Sequence, residues 1–303
     1  MNDIRAIRSP FFYVGDKYKL MPQLRRLMPR NIIRYIEPFV GGGSSFLNTN
    51  ALLYYLNDID SNVINLHKEL IRYGNSGHLF INKIFKIIND YDLSCSYLGK
   101  SAPAELKKEY PKTYFAQMNK IGYKKLKEDY NNDKNDMLKL YVLLIYGFNH
   151  MIRFNKKGDF NLPVGNVDFN KNVYQALLSY FELVNKRCIV LKNQDYISFL
   201  ESIKLQDKDY IYFDPPYLIS LSEYNKFWNI DREIELCYYL DFLHKKGIKF
   251  GITNLVTHKD RTNTIFWDWS RKYKTYGIES NYISYYDNSI KDTSKEVFVT
   301  NYG

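Results

Sequence analysis

Residues 210–217 read Tyr210-Ile211-Tyr212-Phe213-Asp214-Pro215-Pro216-Tyr217. Four large apolar or aromatic side chains in succession predict a short strand buried on both faces, as in the middle of an α/β sheet. The two prolines forbid helix and remove two backbone donors, so the chain must leave the strand through a rigid turn with free carbonyls. Open parallel sheets place ligands at such strand ends. A carboxylate before the turn and an aromatic ring after it make a small pocket, with acceptors for an amino group and a flat surface on which a base can stack. Taken alone, the tetrapeptide fits equally well a turn that simply ends a strand.

A second strand with the same character is Arg34 to Val40, closed by Gly41-Gly42-Gly43 and followed by a short helix from Ser44, a good cap residue. Residues 52–56 form another, ending at Asn57-Asp58, and residues 61–73 carry Val63, Ile64, Leu66, Leu70 and Ile71 at helical spacing. Further strands are expected at 188–192, 209–213 and 248–253, helices near 172–185 and 231–246, and strand-rich sequence over 273–301. Residues 78–150 differ: they are lysine-rich and mostly helical, and end in an apolar helix over 137–146. Residues 153–163 then read as a hairpin with a Lys-Gly-Asp turn. The pattern predicts an α/β sheet with helices on both faces, interrupted by a mainly helical insert carrying a β-hairpin. Residues 1–70 and 186–303 would form the sheet domain, and 71–185 the insert.

The glycine turn admits a ligand close to the backbone. No Lys-Ser/Thr follows it and its spacing is not GxGxxG, so neither a P-loop nor a pyrophosphate site is indicated. Asp58 at the next strand end suits the hydroxyls of a ribose, and a nucleoside cofactor without pyrophosphate fits best. The chain of 303 residues has a net charge of +10, which favours a polyanionic partner, most commonly nucleic acid. Its 29 Tyr and 19 Phe say less about base stacking, because many Asn, Lys and Ile accompany them as in A+T-rich coding. Cys95, Cys188 and Cys237 have no CxxC spacing, which disfavours a disulfide framework and a zinc or other metal site. With no apolar run near the ~18 residues of a membrane span and no signal-like N-terminus, a cytoplasmic protein is expected.

The ordered set of Glu37-Pro38-Phe39-Val40-Gly41-Gly42-Gly43, a basic insert and Asp214-Pro215-Pro216-Tyr217 resembles the Dam-like DNA adenine-N6 methyltransferases, whose target-recognition segment lies between those motifs. Phe12-Tyr13-Val14-Gly15-Asp16-Lys17 is similar to the family's aromatic-x-Gly-Gly-Lys element. Gly147 to Asn155 and Gly158 to Gly165 resemble its DNA-reading hairpin, and Asn193-Gln194-Asp195-Tyr196 its Gly-Asp-Phe-like element. The resemblance runs through most of the chain. It implies a Rossmann-like methyltransferase sheet, S-adenosylmethionine as cofactor and double-stranded DNA as partner. It implies a catalytic set of Asp214, Pro215, Pro216 and Tyr217. Cofactor contacts would come from Tyr13, Lys17, Glu37, Pro38, Phe39, Gly41, Gly43, Asp58, Asp195 and Asp214. DNA contacts would come from Arg8, Phe12, Phe148, Asn149, Met151, Arg153 and Asn155. A monomer is expected, with a cognate restriction endonuclease in the same system but not in contact.

Two positions depart from the pattern. Asp16 replaces the second glycine of the N-terminal element and puts a carboxylate near the expected cofactor. Phe12 stands where GATC-specific members carry a base-reading lysine, which leaves the recognition sequence open between GATC, CATG and other short sites. Spacing alone also allows Phe148 and Met151 to be core residues, His150 to be structural or a phosphate contact, and the lysines at 107, 108, 112, 120, 124, 125 and 127 to be a solvated face. Trp228, Trp267 and Trp269 read as packing residues. The alternative functions are an RNA adenine or DNA cytosine-N4 methyltransferase with the same fold, or a DNA-binding protein without catalysis.

Overall fold

The structure, a computed structural model, describes residues 6–220, 228–279 and 294–303. In chain order its elements are α1 (Met21–Leu27), β1 (Ile32–Glu37), α2 (Ser44–Asn48), β2 (Ala51–Asn57), α3 (Ser61–Arg72), α4 (Gly77–Asp90), α5 (Ala104–Glu109), α6 (Tyr114–Asn132), α7 (Met137–Tyr146) and α8 (Lys171–Val184). There follow β3 (Cys188–Lys192), α9 (Tyr196–Glu201), β4 (Asp209–Phe213), α10 (Ile230–Lys245), β5 (Lys249–His258), β6 (Arg261–Thr262), α11 (Thr264–Ser270), β7 (Lys274–Ile278) and β8 (Ser294–Thr300). Residues 280–293, part of the expected strand-rich stretch, lie outside the described residues.

The sheet order is β3-β2-β1-β4-β5-β8-β7, with β6 paired to β5. The first five strands are parallel, whereas β8 runs antiparallel to both β5 and β7. Because β1 lies between β2 and β4, strand order reverses at the β1/β4 seam, and a crevice opens beyond the C-terminal ends of those strands. The two glycine- and proline-marked turns leave the sheet at this seam.

Both faces of the central strands are buried, but they differ in kind. Tyr35, Tyr54, Tyr210, Tyr212 and Phe298 join one apolar cluster with α3, α4, α7 and α8. Ile36, Ile211, Phe213, Phe250 and Ile252 join another with α9, α10 and α11. The alternation along β4 is the period-2 pleat of a strand carrying large residues on both sides, with an aromatic face and a largely aliphatic one. The insert does not close a core of its own: α7, buried from Leu140 to Tyr146, continues the aromatic-face cluster.

Several boundaries move from the sequence reading. β1 ends at Glu37 rather than Val40, because Val40 N–H turns across to the Asn57 carbonyl at 2.8 Å. Gly43, not Ser44, caps α2, with φ +82° and no side-chain cap. The Ser44 hydroxyl is drawn away by Asp16, to whose carboxylate it donates. The expected hairpin has two isolated bridges, Gly147 with Val164 and Phe154 with Phe160, and no extended strands.

Candidate active site

The glycine turn is shaped by close approach. A Cβ at Gly42 would lie 2.8 Å from the Tyr13 Cβ, and one at Gly43 would lie 2.3 Å from the Phe46 ring and 2.9 Å from His67. Beneath the turn, His67 is wholly buried, with Nε2 2.9 Å from the Gly41 carbonyl and Nδ1 3.1 Å from the Tyr180 hydroxyl. Burial lowers its pKa to about 4, so Nε2–H donates to Gly41 and the Tyr180 O–H donates to Nδ1. Asp58 holds the turn from the other side, accepting the Gly41 N–H at 2.9 Å. Burial pushes the Asp58 carboxyl up to about 6, against the backbone N–H bonds from Asp60 and Gly41.

The loops after β1, β2 and β3 are tied to each other. Asn57 Nδ2 donates to the carbonyls of Pro38 (3.0 Å) and Gln194 (2.9 Å), and Asn193 Nδ2 donates to those of Asp58 and Ile59. Asp195 caps α9 through the Ile197 N–H at 3.0 Å and pairs with Arg232 of α10. Phe39 packs against Tyr196 and Trp228, with ring centroids 5.2 and 5.6 Å away. Trp228 is fixed in turn by its indole N–H on buried Glu233 at 2.6 Å.

Asp214 stands at the centre, at the end of β4. Its Oδ1 receives Lys17 Nζ at 3.0 Å and the Thr253 hydroxyl at 2.9 Å, with the Tyr217 hydroxyl at 3.3 Å. Among the described residues these bonds all fall on Oδ1, so Oδ2 keeps its lone pairs for a ligand. Burial raises the Asp214 pKa, while Lys17 pulls it back down. Tyr217 is buried; its hydroxyl donates to Glu296 Oε1 at 2.6 Å, and Lys17 Nζ lies 4.8 Å from its ring centroid. Lys17 also approaches Glu296 Oε1 at 3.6 Å. The pocket thus sets the Lys17 ammonium against the carboxyls of Asp214 and Glu296.

Glu37 is less satisfied than either carboxyl. It is buried, and its Oε2 has no hydrogen-bond partner. Burial, then the nearby Asp214, pushes its pKa well up. A buried acceptor without a donor costs about 1–3 kcal/mol, and a cationic ligand with N–H groups would relieve it. Glu37, beside Asp58 and the glycine turn, is therefore a residue that could hold a cationic cofactor.

The expected DNA-facing residues divide. Phe148 (40% exposed) and Asn149 stand at the surface on a one-turn helix, and Asn149 and His150 have φ of +54° and +50°. Arg153 is partly exposed and clamped across the hairpin, Nε on Asn161 Oδ1 and Nη2 on the Asn161 carbonyl, both at 2.9 Å. Arg8 is exposed over the Phe12 ring at 4.3 Å. Two expectations change. Met151 is 2% exposed and belongs to the core, so it offers no surface to a duplex. Phe12 is likewise buried, its ring between Arg8 and His150. The Asn155 side chain accepts the N–H groups of Lys157 and Asp159 and so shapes the turn. His150 is bonded to the Leu144 carbonyl through Nδ1 at 3.2 Å, as expected of a structural histidine. Asp16 accepts from the Ser44 hydroxyl and the Tyr18 N–H (2.7 Å), which holds its carboxylate at the start of α2 beside the glycine turn.

Sequence reasoning missed Glu296, Thr253, His67 and Asn57 as site residues. Thr253 and Glu296 carried a signal: Thr253 follows Gly251-Ile252 in a strand run and Glu296 heads Val297-Phe298-Val299, places where a buried polar group needs a partner.

A mostly parallel sheet that reverses order beside a glycine turn, with one antiparallel strand between its fifth strand and its edge, is the arrangement of Rossmann-like methyltransferases. Over residues 13–283 the chain matches the D12 class N6 adenine-specific DNA methyltransferases, and it belongs to that family. It is 31% identical to the type II methyltransferase M.FokI of Planomicrobium okeanokoites, over 98% of this chain and 43% of that protein. It is 30% identical to the modification methylase StsI of Streptococcus sanguinis, over 100% of this chain and 45% of the relative. Against the DNA adenine methylase of Vibrio cholerae the identity is 26%, over 83% and 81% of the two chains. The chain thus spans less than half the length of M.FokI and StsI.

Proposed function

We propose that this chain transfers a methyl group from S-adenosylmethionine to N6 of an adenine in a short double-stranded DNA site, after the base has left the helix. The observation that carries the reading is Asp214 at the β1/β4 seam, anchored through one carboxylate oxygen beside the glycine turn and followed by Pro215, Pro216 and Tyr217. When bound, the cofactor supplies an electrophilic methyl group on a sulfonium. The chain's own residues do the rest. An adenine amino nitrogen is a weak nucleophile because its lone pair is conjugated with the ring. Asp214 Oδ2 and the Pro215 carbonyl accept its two N–H bonds, which favours tetrahedral geometry and frees that lone pair. As positive charge builds on the nitrogen, the fixed carboxylate stabilises it and accepts the surplus N–H proton, which then passes to solvent. Holding both reactants in line supplies much of the remaining acceleration.

Glu37 and Asp58 are assigned to the cofactor's cationic and ribose groups, with the glycine turn against its backbone-facing side; Tyr13, Lys17, Pro38, Phe39 and Asp195 complete the set. Tyr217 is assigned to stack on the target base, which requires Lys17 to yield the ring face it covers. Phe148 and Asn149 are assigned to the gap left by the extruded base, and Arg153 and Arg8 to the duplex. Residues 71–185 serve as the target-recognition insert on the catalytic frame of 1–70 and 186–303. The names of the type II relatives support a place in restriction-modification, as a cytoplasmic monomer beside a separate endonuclease. Among the described residues, no helix is long and apolar enough to cross a membrane.

The test is methyl transfer from tritiated cofactor to duplex DNA and to RNA, followed by nucleoside analysis of the product. N6-methyladenine in duplex DNA is expected. Label confined to RNA, or appearing as N4-methylcytosine, would overturn the reading.

A further inference from the structure

Glu296 belongs to β8, antiparallel to β5, where it pairs in register with Leu255. It is 3% exposed, and a carboxylate in that position is costly unless it has work for its charge. Its Oε1 receives the Tyr217 hydroxyl at 2.6 Å and lies 3.6 Å from Lys17 Nζ. The same ammonium sits 3.0 Å from Asp214 Oδ1. Lys17 is therefore shared between two carboxylates, one on the reacting turn and one on a strand outside it. Without the second carboxylate, the full attraction of Lys17 would fall on Asp214, the group that must accept a substrate amino group and carry its growing positive charge.

We infer that Glu296 is a positioning residue for the methyl transfer: it draws Lys17 and the Tyr217 hydroxyl toward β8 and so keeps the Asp214 carboxylate available to the substrate amino group. This rests on the function proposed above and adds to it a residue outside the sequence motifs. Among the described residues, the groups facing Asp214 are Lys17 from the N-terminal segment, Glu37 from β1, Tyr212 from β4, Tyr217 from the turn, Thr253 from β5 and Glu296 from β8. The like charge of Glu296 opposes ionisation of Asp214, so its removal must lower the pH at which Asp214 loses its proton.

The test compares single-turnover methylation by the wild-type chain and by Glu296→Gln, which preserves shape and an acceptor for Tyr217 but removes the charge. Rates are taken where calorimetry shows each protein folded. Glu296→Gln should lower the chemical rate about tenfold, a size typical of a perturbed catalytic carboxylate. Cofactor and DNA affinities should stay within about threefold, and the acid limb of the pH–rate profile should move to lower pH. Glu296→Asp keeps the charge and should leave the acid limb in place while recovering part of the rate. Lys17→Met combined with Glu296→Gln should be no slower than Lys17→Met alone, since the lysine is the group being held off. An unchanged rate in Glu296→Gln, an unmoved acid limb, or additive losses in the double variant would each overturn the inference. A wild-type chain that methylates no DNA would instead overturn the proposed function, which keeps the two failures apart.

Discussion

The strand-end rim around Asp214 and the loop at 147–165 are built on opposite plans. At the rim, each functional side chain is gripped from several directions: Asp214 by groups from the N-terminal segment, its own turn and β5, and the glycine turn by His67 below and Asp58 beside it. In the loop at 147–165 the base is fixed, with Phe148 N–H on the Pro163 carbonyl at 3.0 Å and Gly165 N–H on the Tyr146 carbonyl at 2.8 Å. The tip, in contrast, presents Phe148 and Asn149 at the exposed surface. A reaction needs atoms held to fractions of an ångström, whereas entering a duplex needs exposed apolar surface on a firm base. The cost of altering one side chain should therefore be far greater at the rim.

The largest effect is expected for Asp214→Ala. It should reduce turnover by about 10²–10³-fold or more, the scale of losing a charge-stabilising group, while cofactor binding changes only a few-fold by calorimetry. Loss of cofactor binding together with turnover would place Asp214 in a binding role instead. Acid sensitivity comes next. His67 has its pKa depressed in the folded state from 6.5 to about 4, so the unfolded chain binds more protons between those values. The stability it contributes is complete above about 6.5 and lost as pH falls toward 4, up to about 3 kcal/mol. His67→Gln should remove that component from melting temperatures measured across the interval, and an unchanged pH slope would contradict the assigned neutral histidine.

A pair of glycines sharpens the contrast. Both Gly43 and Gly158 have positive φ, +82° and +74°, but a Cβ at Gly43 meets Phe46 at 2.3 Å, whereas one at Gly158 meets nothing nearer than Lys134 Nζ at 3.8 Å. Gly158→Ala should therefore cost only backbone strain, about 1 kcal/mol, and Gly43→Ala about 1–3 kcal/mol more together with weaker cofactor binding. Equal losses of stability in the two variants would mean that packing around the glycine turn is looser than described. The smallest effect is expected at the loop: Phe148→Ala should leave the melting temperature unchanged and slow methylation of a fully paired site by about tenfold. The same variant should recover on a site whose target adenine is mismatched, because less unstacking is then needed. A loss equal on both substrates would refute a role in opening the duplex.

These two plans also explain what could be read from the residues beforehand. Apolar strands punctuated by glycine or proline are local signals, so β1, β4 and their turns were evident, and their order along the chain supplied the family. Ser44 looked like a helix cap because nothing local reveals that Asp16, 28 positions earlier, takes its hydroxyl. Met151 lies next to the exposed residues 148 and 149 in sequence, yet a reversal of the backbone at Asn149 and His150 turns it inward. Glu296 reaches the pocket only through antiparallel pairing with β5, a non-local choice invisible to spacing. The sequence motifs thus singled out Asp214 and the glycine turn, but not Thr253 and His67, which hold them in place.

The place of β8 in the sheet also bears on how the molecule is made. Seven of the described strands precede it in synthesis, yet it must fill the position between β5 and β7, so neither neighbour has its full ladder until β8 arrives. Such long-range closure is slow and comes late in folding. A nascent chain lacking β8 could already bear its loop at 147–165 and its Asp-Pro-Pro-Tyr turn, but Lys17 and Tyr217 would still await Glu296. The pocket around Asp214 would then be completed with β8, after the loop at 147–165 has formed.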